Sequence, residues 1–168
     1  MERIAEFQKV SFEQFARAMT DTFGECANLR ELYDEIRIPR RATSGSAGYD
    51  FYSTVTAGLR PGESIKIPTG IRAKISEGWA LLLFPRSGLG FKYRLQLNNT
   101  VGVIDSDYYM SDNEGHIFIK ITNDSNEGKS CPIERGMAFA QGIFMPFGIT
   151  ADDEVSEVRN GGFGSTSK

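Results

Sequence analysis

The stretch Ser64-Ile65-Lys66-Ile67-Pro68-Thr69-Gly70-Ile71-Arg72-Ala73-Lys74-Ile75 decides how the rest of the chain is read. Ile65, Ile67, Ile71, Ala73 and Ile75 fall on one face, and Lys66, Arg72 and Lys74 on the other. A period of two predicts strand, because successive side chains on extended backbone point to opposite sides. Just downstream, Trp79 to Phe84 is a continuous apolar run, the pattern of a strand buried on both faces. Farther on, Ile117, Ile119 and Ile121 alternate with Phe118, Lys120 and Thr122, and Phe139 to Phe147 makes a last long strand. Gly, Pro, Asn and Asp separate these segments from Ile36 onward. Many short strands with regular turns predict an all-β domain, a distorted antiparallel β-barrel or jelly-roll-like sandwich.

The first 35 residues read differently. A short β-like run from Ile4 to Val10 leads into Ser11-Phe12-Glu13-Gln14, which has capping-box spacing. Phe12, Phe15, Ala16 and Met19 then follow one helical face. Asn28 and Glu31 repeat the capping spacing, and Leu29, Leu32, Tyr33 and Ile36 repeat the stripe. The expectation is an N-terminal extension (1–35) with two short helices lying outside a β domain (36–158). A flexible C-terminal tail (159–168) follows, with three glycines and a single large apolar residue, Phe163. By composition that tail fits a disordered end or a flap that orders over a ligand, since glycine N–H groups can approach phosphate.

Bulk properties narrow the function classes. The 168 residues suit one domain, and 40% hydrophobic with 24% charged residues is an ordinary globular mix. Nineteen basic residues against 22 acidic ones give a net charge of −3, without the basic footprint of a nucleic-acid binder. The apolar runs are too short to cross a bilayer, and the N-terminus lacks a signal-peptide layout. Cys26 and Cys131 lie far apart, with no Cys-x-x-Cys pattern, so neither a disulfide nor a zinc site is expected, and a reducing cytoplasmic setting is.

Several segments carry chemistry. Pro85-Arg86-Ser87-Gly88 offers a guanidinium, a hydroxyl and a glycine turn to an oxyanion; a plain surface turn fits it too. Gly102-Val103-Ile104-Asp105-Ser106-Asp107-Tyr108 puts a carboxylate at the end of an apolar segment with a tyrosine three residues on. Asp105 there suits either a general base for water or a turn-shaping aspartate. Gln141 is polar within an apolar strand, Asp50 follows the turn Ala47-Gly48-Tyr49, and His116, the single histidine, reads as structural.

Taken in order, Ala47-Gly48-Tyr49-Asp50, Pro85-Arg86-Ser87-Gly88, Asn99 through Tyr108, Ala140-Gln141 and Gly161-Gly162-Phe163-Gly164-Ser165-Thr166 resemble the five motifs of the trimeric dUTPase family. The resemblance runs from about Ile36 to Thr166 and implies a Mg²⁺-dependent hydrolase that converts dUTP to dUMP and pyrophosphate. By that resemblance Asp105 activates the water that attacks the α-phosphorus. Arg86, Ser87, Gly88 and Gln141 hold phosphates, and Asp50 stands near the hydrated metal, touching it through water. Asn99 pairs with the uracil edge, helped by backbone groups of a tight hairpin that includes Gly102 and Val103. The ring of Tyr108 packs beneath the sugar and rejects a 2′-OH. Phe163 stacks over uracil, with Gly164, Ser165, Thr166 and Arg159 near the γ-phosphate. The family also implies a homotrimer with shared sites, no nucleic acid or membrane partner, and room for a further protein partner.

The chain departs from the family pattern in three places. Gly136-Met137-Ala138 lacks a usual arginine, Arg159 stands four rather than five residues before Phe163, and Tyr109 to Gly115 lengthens the turn after the third motif, which suggests a surface excursion. A dCTP deaminase, similar in fold, needs a glutamate where Ile119-Lys120-Ile121 stands. A non-catalytic interaction module with the same fold is the other alternative.

Overall fold

The computed structural model describes residues 2–157. Twelve strands run through them: β1 Ala5–Lys9, β2 Arg40–Arg41, β3 Tyr49–Tyr52, β4 Ala57–Leu59, β5 Ser64–Pro68, β6 Ile71–Ile75, β7 Trp79–Pro85, β8 Leu95–Leu97, β9 Gly102–Ile104, β10 Phe118–Asn123, β11 Cys131–Ile133 and β12 Ala138–Pro146. Helices α1 Phe12–Phe23, α2 Leu29–Asp34 and α3 Ser87–Tyr93 accompany them, with a 3-10 helix at Ser106–Met110. A five-stranded sheet has the order β2-β3-β12-β7-β9 and a three-stranded sheet β5-β10-β8, while β1 pairs with β6 and β11 with β4. All eight pairings are antiparallel, as the all-β reading expects.

The alternation in the opening stretch is borne out. Ile67, Ile71, Ala73 and Ile75 are buried while Lys66 and Lys74 stay exposed. The stretch makes two strands because Gly70, at φ +71°, turns the chain between them. On β10, Ile119 and Ile121 face inward with Ile117, and Lys120 outward. Along β7 only Ala80, Leu81 and Leu83 are fully buried, so this strand is one-sided at Trp79, Leu82 and Phe84. The inward set meets Phe51, Ile104, Phe139 and Ile133 in one core. Burying each such side chain contributes about 1.5–3 kcal/mol before entropy is counted.

Within the N-terminal segment, β1 and α1 pack into this core. β1 pairs with β6 in the register Ala5↔Ile75 to Lys9↔Ile71. Ser11 caps α1, its side chain accepting from Gln14 N, as the capping-box spacing predicts. Phe15 and Met19 from the α1 stripe are fully buried among the strands. The second capping expectation fails: Asn28 sits at φ +65° and its side chain makes no cap bond. α2 has no fully buried residue, and its contribution is limited to Leu29, Leu32 and Tyr33 packing against the core edge.

Candidate active site

Strand register brings three of the expected residues together. Gln141 on β12 stands opposite Asp50 on β3 and Phe84 on β7. Residues directly opposed in an antiparallel ladder share a face, and two steps on from Phe84 the chain returns to that face at Arg86. Arg86 Nη1 accordingly meets Asp50 Oδ2 at 2.7 Å. Gln141 Nε2 donates to Pro85 O at 3.2 Å. Gly48 completes the arrangement: a Cβ there would fall 2.5 Å from Gln141 Oε1, so only glycine leaves the amide in place. This explains the glycine in Ala47-Gly48-Tyr49-Asp50, a role that sequence alone does not reveal. Arg40 on edge strand β2 stands opposite Asp50 and is exposed, a neighbour of this cluster that no motif pointed to.

α3 starts immediately after Arg86. Leu89 and Gly90 N–H return to Arg86 O, and the first-turn N–H groups of Ser87 and Gly88 have no acceptor within a helix. A Cβ at Gly88 would meet nothing within 4 Å, so the chain's own packing does not require glycine there. Arg86, Ser87 and Gly88 thus form an open, donor-rich corner beside Gln141 and Asp50.

The Asn99 to Tyr108 segment lies elsewhere and differs from the tight hairpin expected. β8 belongs to the sheet of β10, whereas β9 pairs with β7, so these two strands diverge into separate sheets. Asn99 is exposed in the intervening turn, where Thr100 takes φ +65°. Gly102 is buried, where a Cβ would fall a tight 3.1 Å from Leu83 Cβ, and Val103 points outward. Asp105 is half-buried at the entrance of the 3-10 helix, with extended backbone at φ −80° and ψ 159°. Since Ile104 is opposite Leu81, Asp105 lies level with Ala80, six residues along β7 from Arg86. At about 3.3 Å per residue that is roughly 20 Å within one chain.

Tyr108 is 1% exposed. Its hydroxyl donates to His116 O at 2.7 Å and accepts from Asn113 Nδ2 at 2.9 Å. The His116 ring is fully enclosed, with Gly70 N–H donating to Nε2 at 2.9 Å. A backbone N–H can only donate, so the neutral ring carries its proton on Nδ1. Nδ1 is 3.4 Å from Gln14 Nε2; the two orientations of an amide differ only in which atom is nitrogen, and the ring proton selects the one presenting Oε1. Burial pushes the His116 pKa down to about 4, with the Glu114 carboxylate opposing. The structural reading of His116 fits this environment. Residues 109–115, expected as a surface excursion, are tied down instead: Ser111 and Gly115 are buried, and Glu114 accepts from Ser11 N at 2.8 Å and Ser11 Oγ at 2.6 Å. Burial opposes ionisation of Glu114, but these bonds and the Arg72 charge hold its carboxyl below the usual range.

Arg159, Phe163, Gly164, Ser165 and Thr166 lie outside the described residues. Among the described residues no group of three His, Cys, Asp or Glu is placed to hold a metal, and no helix is long and apolar enough to cross a membrane.

Comparison with known proteins agrees with this geometry. The dUTPase family model matches residues 34–167. A deoxyuridine 5′-triphosphate nucleotidohydrolase from Lactococcus lactis is 46% identical over 134 residues, spanning 78% of this chain and 88% of the relative. One from Tolumonas auensis is 39% identical over 143 residues, spanning 80% and 90%. The crystal structure of dUTPase from Streptococcus mutans aligns at a TM-score of 0.63 with 34% identity, covering 86% of this chain and 97% of that one. In fold alone, a dUTPase from phage phi11 of S. aureus is similar at a TM-score of 0.63 and 23% identity. This chain belongs to the dUTPase family.

Proposed function

We propose that this protein hydrolyses dUTP to dUMP and pyrophosphate, with Asp105 activating the water that attacks the α-phosphorus. The observation carrying the proposal is the convergence of Arg86, Asp50 and Gln141 on one sheet face beside the open N–H groups of Ser87 and Gly88. Such a corner suits the β- and γ-phosphates: a guanidinium binds two oxygens at once and fixed donors need no reorganisation as charge develops. Arg86 would exchange Asp50 for phosphate. This partly exposed ion pair is weak enough for that exchange, worth about 1 kcal/mol at most.

Asp105 is too far from Arg86 in one chain for both to act on neighbouring phosphates. That separation favours sites built between copies, with the phosphate corner from one subunit and Asp105 from another, in a homotrimer. The diverging β8 and β9 suit base recognition. Their facing backbone groups are not used up in pairing with each other, so Asn99 and its neighbours can serve the uracil edge. The Tyr108 ring, held rigidly, would form the wall against the deoxyribose. Phe163, Gly164, Ser165, Thr166 and Arg159 would close over the nucleotide from the tail.

The residues present fit Mg²⁺ in an outer-shell role. Asp50 is a single carboxylate at the phosphate corner, already engaged by Arg86, which suits contact through water to a metal held by the triphosphate. Bound there, Mg²⁺ would supply charge neutralisation on the phosphate oxygens. Limiting uracil in DNA and supplying dUMP would be the consequence in a cytoplasmic setting.

An Asp105→Asn variant tests the mechanism. Loss of the base is expected to lower kcat by about 10²–10⁴-fold with nucleotide binding kept. Wild-type turnover in the folded variant would sink Asp105 as the base. A protein partner that still binds the inactive variant would reveal a second, non-catalytic role.

A further inference from the structure

The segment after the third motif does more than close a loop. Its geometry converges on the far end of the Tyr108 ring, where two groups fix the hydroxyl: His116 O accepts from it and Asn113 Nδ2 donates to it. Each of these is itself fixed. Asn113 Oδ1 accepts from Gly115 N at 3.2 Å, and His116 N donates to Asn113 O at 3.1 Å. The His116 ring is pinned by Gly70 N–H. The turn needs unusual backbone, with Glu114 at φ +60° and Gly115 at φ +69°, and a Cβ at Gly115 would fall 2.7 Å from Tyr109 Cα.

The same loop is fastened at its other side to the N-terminal segment. Glu114 binds Ser11, the cap of α1, twice. Tyr109 Oη donates to Gln8 Oε1 at 2.7 Å. The Arg72 guanidinium lies 3.6 Å from the Tyr109 ring centroid and donates to Tyr109 O at 2.7 Å. Between Asp105 and β10, therefore, the chain is held by residues 8–11 and by β6, and a left-handed backbone at Glu114 is accepted to bring Asn113 under the Tyr108 hydroxyl.

We infer that Asn113 is a positioning residue for sugar discrimination, setting the Tyr108 ring through its hydroxyl, with the Ser11–Glu114 clasp holding Asn113 in turn. This rests on the dUTP reading of the site. A steric wall tells deoxyribose from ribose only if it cannot yield, because the two differ by one hydroxyl and a tilt of the ring would make room for it. The N-terminal segment and the longer turn, two features outside the common family core, then act as one brace behind the sugar pocket.

The test is a double-mutant cycle read as substrate preference. Steady-state pyrophosphate release from dUTP and from UTP is measured for the full-length wild type, Asn113→Ala, Tyr108→Phe and the double variant. Asn113→Asp is added because it keeps the acceptor for Gly115 N while turning the donor to Tyr108 into a charged acceptor. Each single variant is expected to lower the ratio of kcat/KM for dUTP over UTP about five- to tenfold, the worth of one hydrogen bond. The double variant should fall no further than Tyr108→Phe, since removing the hydroxyl already removes the Asn113 contact along with the bond to His116 O. An unchanged ratio in folded Asn113→Ala or Asn113→Asp, or losses that multiply in the double variant, would overturn the inference. If the wild type hydrolyses dUTP and only the ratio fails to move, the positioning role alone is lost. A wild type inert toward dUTP would remove the dUTP reading and this inference with it.

Discussion

Lowering the pH from 8 to 5 should destabilise this protein through one residue, His116. Its ring is fully buried and neutral, with Nε2 accepting from Gly70 N–H, and the folded pKa lies at about 4 against an ordinary 6.5. Above pH 6.5 the ring is neutral in both folded and unfolded chains, so the full stability is present. Below it the unfolded chain takes up a proton that the folded chain refuses, and stability falls by about 1.4 kcal/mol per pH unit. The loss reaches about 2 kcal/mol at pH 5 and about 3 kcal/mol near pH 4, where the folded ring also protonates. The carboxyls held low, Glu63, Glu114, Glu127 and Asp152, act in the same direction but below about pH 4.5, so the window above pH 5 isolates the histidine. Urea unfolding at pH 8, 7, 6 and 5 reads the effect, with protein concentration held fixed because the proposed trimer would make stability depend on it. His116→Gln keeps an acceptor near Gly70 and removes the titration. It should be less stable at pH 8 yet nearly flat down to pH 5. A wild-type profile that is flat over this window, or a variant that keeps the wild-type slope, would refute the reasoning.

Glu114→Gln keeps one oxygen for Ser11 but loses the charge that strengthens both contacts. Stability should drop by about 1–2 kcal/mol in urea unfolding, with no loss in the variant sinking the clasp. Gly48→Ala puts a methyl 2.5 Å from Gln141 Oε1. The amide must rotate away, and KM for dUTP should rise several-fold with stability lowered by about 1 kcal/mol or less; an unchanged KM would separate Gln141 from phosphate binding.

Much of this protein is legible in the sequence, and the boundary follows from locality. The Ser11–Gln14 cap could be read because both partners belong to one helical turn. The strand alternation at 64–75 and 117–121 was readable because one face of each strand meets the core. The same logic misjudged Asn28, where the local capping pattern was overridden by a left-handed turn into α2. It also misjudged β8 and β9, because which sheet a strand joins depends on neighbours far along the chain. The site shows the same division. Motif order singled out Asp50, Arg86, Gln141 and Asp105, but only register shows that the first three meet while Asp105 stands at the opposite end of β7. The Ser11–Glu114 clasp joins residues 103 apart, and nothing in either local pattern announces it. Residues 109–115 looked like a solvated excursion because Ser, Asp, Asn and Glu dominate them; Asn113 and Glu114 instead turn inward, Asn113 to the Tyr108 hydroxyl and Gly115 N, and Glu114 to Ser11 at the start of α1.

Pyrophosphate release from dUTP, with UTP, dTTP and dCTP measured alongside and Mg²⁺ present or removed by chelation, tests the central claim most directly. The account predicts Mg²⁺-dependent release from dUTP at rates far above those for the other three nucleotides. A folded, assembled protein that leaves dUTP intact, or that hydrolyses UTP and dTTP equally well, would contradict it.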